Sequence, residues 1–166
     1  MEKTITREIL RHWREAVPDD RLAHLVKDAT RALVRALQER LAEHGVPFGH
    51  WTFLRILWEH DGLTQRELSV EAGVMEPTTF SALIAMEKLG YVTRQRKGDN
   101  RKNVYVFLTP KGRALKRKLV PLAEEVNGIA LRRLGKADVA RLRATLLTLI
   151  ENLARDDEKR VAAKRK

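Results

Sequence analysis

The chain of 166 residues contains no cysteine. Disulfide bonds, thiolate metal sites and oxidant sensing by a thiol are therefore excluded. Aromatic residues are scarce, at 5% of the chain, so we expect a core of leucine, valine, isoleucine and alanine. No segment approaches about 18 consecutive apolar residues, and Met1–Val17 alternates charged with apolar side chains instead of forming a signal-peptide core. We therefore expect a cytoplasmic protein without a membrane segment.

Acidic residues are in the minority. The sequence has 22 Asp and Glu against 33 Lys and Arg, which gives a formal net charge of +11. This excess attracts polyanions, chiefly nucleic acid or an anionic membrane surface, but it carries no information about the fold. The length suits one compact unit with a single core.

Most of the chain has helical periodicity. Residues 2–17 form an amphipathic pattern that stops at Pro18, and a longer helix runs to Gly45 with Asp19 and Asp20 as candidate caps. A further helix is predicted in the segment FGHWTFLRILWEHDG. From Pro110 onward helix returns in two apolar stripes, and the tail RDDEKRVAAKRK has no stripe, so we expect it to fray.

Two short helices are predicted in the middle of the chain. The first, in TQRELSVEAG, begins at Thr64 with Glu67 three residues later, which is the spacing of a capping box. The second, in GVMEPTTFSALIAMEKLG, has Pro77 in its first turn and ends at Gly90. Joined through Gly73, these segments predict a helix-turn-helix.

A charged β-hairpin is predicted directly after the second short helix. YVTRQR and NVYVFL have the strand period, and KGDNRK between them has the residues of a hairpin loop. From Arg94 to Lys102 there are five basic residues and one acid, a local charge of +4. The order of elements predicts a winged helix, whose second short helix enters the major groove while the hairpin tip reaches the backbone or minor groove. The alternative is a solvated hairpin whose charges only prevent edge pairing.

The hairpin also carries a family signature. DNRKNVYVFLTPKG has an Asp, one residue, an Arg, a strand ending in Leu-Thr, and a Gly three residues after that Thr. With GLTQRELS and MEKLGYVTR, it resembles the MarR (multiple antibiotic resistance regulator) family over about residues 20–155. The resemblance implies that Arg101 enters or borders the minor groove and that Asp99 orients it by an ion pair. Many relatives have an Arg where this chain has Ser81, beside Phe80, so bidentate guanine readout by this helix is not expected.

The expected DNA contacts lie on the two short helices and the hairpin. They are Thr64, Gln65, Thr78, Thr79, Ser81, Arg94, Arg96, Lys97, Arg101 and Lys102. A structural role is an equal alternative for Thr79, which shares helical spacing with Leu83 and Met86.

The resemblance favours a homodimer with a ligand-responsive site. Its implied organisation is N-terminal dimerisation helices (1–45), a winged helix-turn-helix (46–110), C-terminal dimerisation helices (111–155) and a basic tail (156–166). The alternative is that the terminal apolar faces pack within one chain. The implied effector is an aromatic acid, a phenol or an aromatic acyl thioester, and the residues considered for its pocket are Trp13, His50, Trp51 and Trp58, each of which is otherwise ordinary core.

The sequence thus predicts a mainly α protein with a small β-hairpin wing. We expect a homodimeric repressor that a small aromatic or anionic effector releases from a pseudo-palindromic operator on double-stranded DNA, with no cofactor and no resident metal. Catalysis is not expected, because no nucleophile motif or phosphate loop is present. Two alternatives stay open: a basic adaptor without operator specificity, and a metal-responsive regulator that would use His44, His50, Glu59, His60 and Asp61.

Overall fold

The computed structural model describes residues 4–15, 22–97 and 100–164, without the side chains of Lys97 and residues 100–102. Its elements, in chain order, are α1 (Ile5–Glu15), α2 (Leu22–Glu43), α3 (Phe48–Glu59), α4 (Gln65–Ala72), α5 (Glu76–Lys88), β1 (Val92–Lys97), β2 (Asn100–Leu108), α6 (Pro110–Ala130) and α7 (Lys136–Lys164). The prediction of a mainly α fold with one hairpin wing is confirmed. In the described ranges, no helix has the length and apolar character needed to span a membrane.

The chain divides into two compact units, Met1–Asn127 and Gly128–Lys166. Helix α3 supplies the largest share of the core in the first unit, because five of its side chains are buried: Trp51, Phe53, Leu54, Ile56 and Leu57. Around them lie buried residues of the other elements, including Leu41, Leu68, Leu83, Met86, Val106 and Leu119. Full burial of a side chain of this size contributes about 1.5–3 kcal/mol.

The first short helix, α4, begins and ends as its sequence predicts. The Thr64 hydroxyl accepts the backbone N–H of Glu67 at 3.2 Å, and the Glu67 carboxylate accepts the backbone N–H of Thr64 at 2.7 Å. The Thr64 hydroxyl also donates to the Glu67 carboxylate at 2.7 Å. This bond, followed by the one from the Thr64 backbone, lowers the pKa of Glu67. At the other end, Gly73 has a φ of +64°, a left-handed conformation that glycine adopts without strain. The predicted capping box is confirmed.

The hairpin is antiparallel and is joined to the start of α6. Val92 lies opposite Leu108, and the register shifts between Arg96 and Lys97 near the tip. Beyond β2, the Thr109 hydroxyl donates to the Gly90 carbonyl at 2.6 Å and accepts the Gly112 N–H at 3.0 Å. These bonds fix the base of the hairpin against the first turn of α6.

Gly112 occupies a position where no side chain fits. A Cβ atom there would overlap the backbone carbonyl of Tyr91 and would crowd the side chain of Leu108. The close approach of two backbones therefore explains the glycine of the Thr-Pro-Lys-Gly segment.

In the second unit, α7 continues to Lys164. The expectation that the tail RDDEKRVAAKRK, residues 155–166, frays is therefore wrong for 155–164, while the last two residues lie outside the described part. Ion pairs between successive turns support this extension: Arg155 contacts Glu151 at 2.6 Å, and Arg160 contacts Asp156 at 2.9 Å. Such exposed pairs stabilise a helix by about 0.3–0.5 kcal/mol each, without any apolar stripe.

Candidate nucleic-acid interface

Helix α5, the second helix of the helix-turn-helix, has one buried face and one open face. Thr79, Leu83 and Met86 are fully buried, whereas Thr78 and Ser81 are exposed. The Ser81 hydroxyl donates to the Pro77 carbonyl at 3.1 Å, so its proton is already engaged within the helix. The open face therefore presents Thr78 and Ser81 to solvent, as expected of groove-facing residues.

Thr79 has a different role from the one expected for a DNA contact. Its side chain is 0% exposed, and its hydroxyl oxygen lies 2.8 Å from that of Ser69 in α4. The same hydroxyl is 3.5 Å from the Met75 carbonyl, while the Ser69 hydroxyl also lies 2.9 Å from the Gln65 carbonyl. A side chain with no exposed surface cannot reach a base, so the expected contact is corrected: Thr79 joins α4 to α5.

Two further expected contacts lie at the start of α4. Thr64 is half-buried and forms the helix cap, with its hydroxyl engaged by Glu67. Gln65 is the first residue of the helix and is also half-buried. Both lie at the N-terminus of α4, at the opposite end of that helix from the turn at Gly73, and their contact with DNA stays a prediction.

Arg94, in β1, is held by α5, which is the recognition helix of the helix-turn-helix. Its backbone N–H and its Nε donate to the Glu87 carboxylate at 3.0 and 2.9 Å, and its guanidinium carbon lies 5.6 Å from the centre of the Phe80 ring. Partial burial raises the pKa of Glu87, but the hydrogen bonds and charge of Arg94 outweigh it, so the pKa lies below its usual value. Arg94 therefore fixes the wing to α5 and is not a free cation.

The other wing residues are described only in part. Arg96 is exposed on β1. Lys97 is the last residue of β1, and Arg101 and Lys102 belong to β2. The structure describes the backbone of these three residues but not their side chains. Asp99 also lies outside the described residues. The DNA contacts of the wing tip and the orienting role of Asp99 therefore stay predictions.

Two of the four residues considered for an effector line one cleft. Trp51 and Trp58 border a cleft of about 290 Å³ between α3 and α6, and their rings meet edge to face at 5.7 Å between centroids. Trp58 also donates its indole N–H to the Gly112 carbonyl at 3.0 Å. The remaining lining residues are Arg55, Glu59, Lys116, Val120, Ala123, Glu124 and Asn127.

The other two residues lie elsewhere. Trp13 donates its indole N–H to Asp28 at 3.0 Å across α1 and α2, and this bond lowers the pKa of Asp28. His50 is half-buried, and its Nδ1 has no hydrogen-bond partner among the described residues. Burial lowers the pKa of His50. Neither residue lines the cleft between α3 and α6.

Arg55 and Lys116 are the cationic residues of the cleft that sequence analysis left unnamed. Arg55 was detectable, since it lies four residues after Trp51 and three before Trp58, on the same helical face. Lys116 belongs to a helix distant in sequence, and no local pattern links it to α3.

Acidic and histidine side chains do not gather into a metal site in the described part of the chain, where no group of three or more is suitably placed. Asp61 is engaged otherwise, because one carboxylate oxygen accepts the Leu108 N–H at 2.8 Å and the other accepts Arg113 at 2.7 Å.

Comparison with known proteins agrees with this geometry. The MarR family model matches residues 49–104. The HTH-type transcriptional regulator TtmR of Methylorubrum extorquens (strain PA1) is 33% identical over 111 residues, which is 67% of this chain and 57% of TtmR. The chain thus spans little more than half of that relative. The organic hydroperoxide resistance transcriptional regulator of Bacillus subtilis (strain 168) is 27% identical over 135 residues, 81% of this chain and 90% of the relative.

A solved structure with the same fold contains DNA. A MarR family transcriptional regulator from Listeria monocytogenes, complexed with 26mer DNA, matches with a TM-score of 0.75 and 25% identity, over 82% of this chain and 91% of its own. Two helices joined by a tight turn and followed by a wing define a winged helix-turn-helix protein. The chain belongs to the MarR family of that class, whose members are DNA-binding transcription regulators. The resemblance and the expectation of a non-enzyme are confirmed.

Proposed function

We propose that this protein is a homodimeric repressor that binds a pseudo-palindromic operator in the cytoplasm and is released by a small effector. The observation that carries the proposal is the Glu87–Arg94 contact, which holds the wing at a fixed position on the recognition helix. A rigid pair of DNA-contacting elements loses little conformational entropy on binding. It therefore suits sequence-specific binding better than general attraction to polyanions.

Exposed apolar residues on the terminal helices support a dimer. In the first unit they include Ile5, Leu22, Leu25 and Leu33, and in the second they include Leu147, Ile150 and Leu153. Ile150 is 64% and Leu153 68% exposed, on a helix with no buried residue in the single chain. Covering such residues with a second copy removes apolar surface from water. Two-fold symmetry then requires two half-sites about one helical turn apart.

The cleft between α3 and α6 supports an effector that is small and aromatic. Two indole rings form its apolar wall, and Arg55 and Lys116 supply positive charge for a carboxylate or phenolate. Glu59 and Glu124 also line it and disfavour a large polyanion. Because the chain has no cysteine, its response to an effector cannot depend on oxidation of a thiol of its own.

A path from the cleft to the wing runs through Gly112. Trp58 donates to the Gly112 carbonyl, and the Gly112 N–H donates to Thr109 at the base of the hairpin. An effector that displaces Trp58 therefore disturbs the attachment of the wing. A coupling of only about 1–3 kcal/mol is enough to release the operator.

The test is selection of binding sites from random duplexes with the purified protein, followed by measurement of the mass of the free protein. We expect an enriched palindrome and a dimer. Ile150→Glu is expected to give monomers and to weaken operator binding, whereas Asn152→Glu, on the opposite face of α7, is expected to change neither. A monomeric wild-type protein, or equal affinity for every duplex at physiological salt, contradicts the proposal.

A further inference from the structure

The recognition helix lacks the side chains that usually read purines. From Val74 to Glu87 the sequence contains no Arg, Lys, Asn or Gln. Those side chains make the bidentate hydrogen bonds that identify guanine and adenine in the major groove. Helix α5 must therefore recognise sequence in another way or contribute none.

Apart from Glu76, the large side chains that this segment exposes are apolar. Met75, at the N-terminal cap of α5, is 76% exposed, and Phe80 in the second turn is 48% exposed. Val74 and Pro77 are exposed as well. Large apolar side chains at the leading end of a recognition helix need an apolar partner, and the thymine C5-methyl group is the apolar feature of the major groove.

Phe80 is held in place on the side that faces the wing. The Arg94 guanidinium lies over its ring at 5.6 Å, and Glu87 pairs with that guanidinium, so the cation stays against the ring. A guanidinium over the face of an aromatic ring is attracted by the electrons of that ring, which favours this arrangement. The ring is thus restrained by protein on one side and remains half-exposed on the other.

We propose that Phe80, together with Met75, reads thymine methyl groups in the major groove of the operator. The inference rests on the proposed function, because it assigns the specificity of the same DNA-binding site. Recognition of bases by α5 then depends mainly on methyl contacts, and bidentate hydrogen bonds to purines come from elsewhere in the protein or not at all.

The test compares thymine with deoxyuridine, which differs only by the methyl group. The selected operator is synthesised with one thymine of a half-site replaced at a time, and affinity is measured by anisotropy of a labelled duplex. We expect about fourfold weaker binding at one or more positions, the change that corresponds to one buried methylene-sized group. The Phe80→Ala variant should bind the all-thymine operator more weakly than the wild-type protein does. At one such position it should bind the thymine and deoxyuridine duplexes equally.

Two variants make the result specific. Leu89→Ala removes an apolar side chain that is 41% exposed at the far end of α5, and it should keep the full thymine preference. Phe80→Leu retains an apolar group and should keep part of the thymine preference. Thermal melting of each variant checks that it folds. The comparison of thymine and deoxyuridine duplexes with the wild-type protein does not depend on the folding of any variant.

The outcomes separate the two proposals. If selection yields no preferred sequence, the proposed function fails. If a preferred operator emerges but no deoxyuridine weakens binding, or if Phe80→Ala and Met75→Ala both keep every thymine preference, only the methyl-reading inference is overturned.

Discussion

The carboxylate of Glu87, in the last turn of α5, accepts both the backbone N–H and the Nε–H of Arg94 in β1, at 3.0 and 2.9 Å. This double contact ties α5 to the wing, so the two elements that we expect to contact DNA are held together. Because Arg94 is neutralised within the protein, its main contribution is geometric.

The Glu87→Gln variant distinguishes geometry from charge. Removing a carboxylate makes the protein more positive and, by electrostatics alone, should tighten binding to any duplex. We expect instead that operator affinity falls by roughly threefold to tenfold, equivalent to about 1 kcal/mol of lost preorganisation. Competition between operator and random DNA measures the effect. Glu71→Gln, the same charge change at an exposed position of α4, should not reduce the preference for the operator.

The buried hydroxyl pair of Ser69 and Thr79 predicts a stability effect without a specificity effect. Thr79→Val keeps the shape but removes the hydroxyl, so the free energy of unfolding should fall by about 1 kcal/mol. The exposed Thr78→Val should leave stability unchanged. Urea denaturation gives the first quantity, and operator selection with the Thr79 variant should return the wild-type sequence. A changed operator would restore Thr79 as a DNA contact.

The glycines of α6 form a matched pair for mutation. Gly112→Ala forces a methyl group into the Tyr91 carbonyl and should destabilise the protein by about 3 kcal/mol or more. Gly128→Ala, in the same helix, meets nothing within 4 Å and should stabilise it by about 0.5–1 kcal/mol through higher helix propensity. Denaturation midpoints measure both, and a tolerated Gly112→Ala would contradict the close backbone contact.

His50 predicts a loss of stability in mild acid. Burial lowers its pKa in the folded protein, so the unfolded chain binds a proton at a higher pH than the folded chain does. Stability is therefore lost as the pH falls through the unfolded-state pKa of about 6.5, and the loss is complete below the folded-state pKa. His50→Gln should reduce the change in urea midpoint between about pH 7.5 and 5.5. His44→Gln changes an exposed histidine and leaves His50 in place, so it should not reduce this change in the urea midpoint.

The cleft predicts that Arg55 discriminates anionic from neutral aromatic ligands. Arg55→Ala should weaken binding of an aromatic carboxylate by roughly tenfold or more, since a charge-assisted contact contributes about 1.5–3 kcal/mol. The corresponding neutral amide should bind both proteins alike. Calorimetry on the protein without DNA measures the affinities, with Arg66→Ala, outside the cleft, as the control. Equal loss for both ligands would indicate a disturbed cleft instead of a charge effect.

Local signals in the sequence were sufficient for the helix boundaries near the motif. The capping box at Thr64, the proline in the first turn of α5 and the change of period after Gly90 each act within a few residues, so they are legible without tertiary structure. The predicted order of helix-turn-helix and hairpin follows from them.

What the sequence did not reveal depends on contacts between elements. The burial of Thr79 depends on how α5 packs against Ser69 in α4. The pairing of Glu87 with Arg94 joins a helix to a strand, where no helical spacing applies. Trp13 and Trp51 each lie on the apolar face of a predicted helix, but of the two only Trp51 borders the cleft with α6. The extension of α7 to Lys164 rests on ion pairs between turns, which an apolar pattern does not register.

The hydrogen bond from Trp58 to the Gly112 carbonyl gives the protein an intrinsic optical probe. Indole fluorescence depends on the polarity and hydrogen bonding around the ring. A movement at the base of the wing that alters this hydrogen bond should therefore change the emission wavelength and quantum yield of Trp58. The chain has only three tryptophans. Replacing Trp13 and Trp51 with phenylalanine would leave Trp58 as a single reporter, with which the proposed release from the operator could be timed without a label.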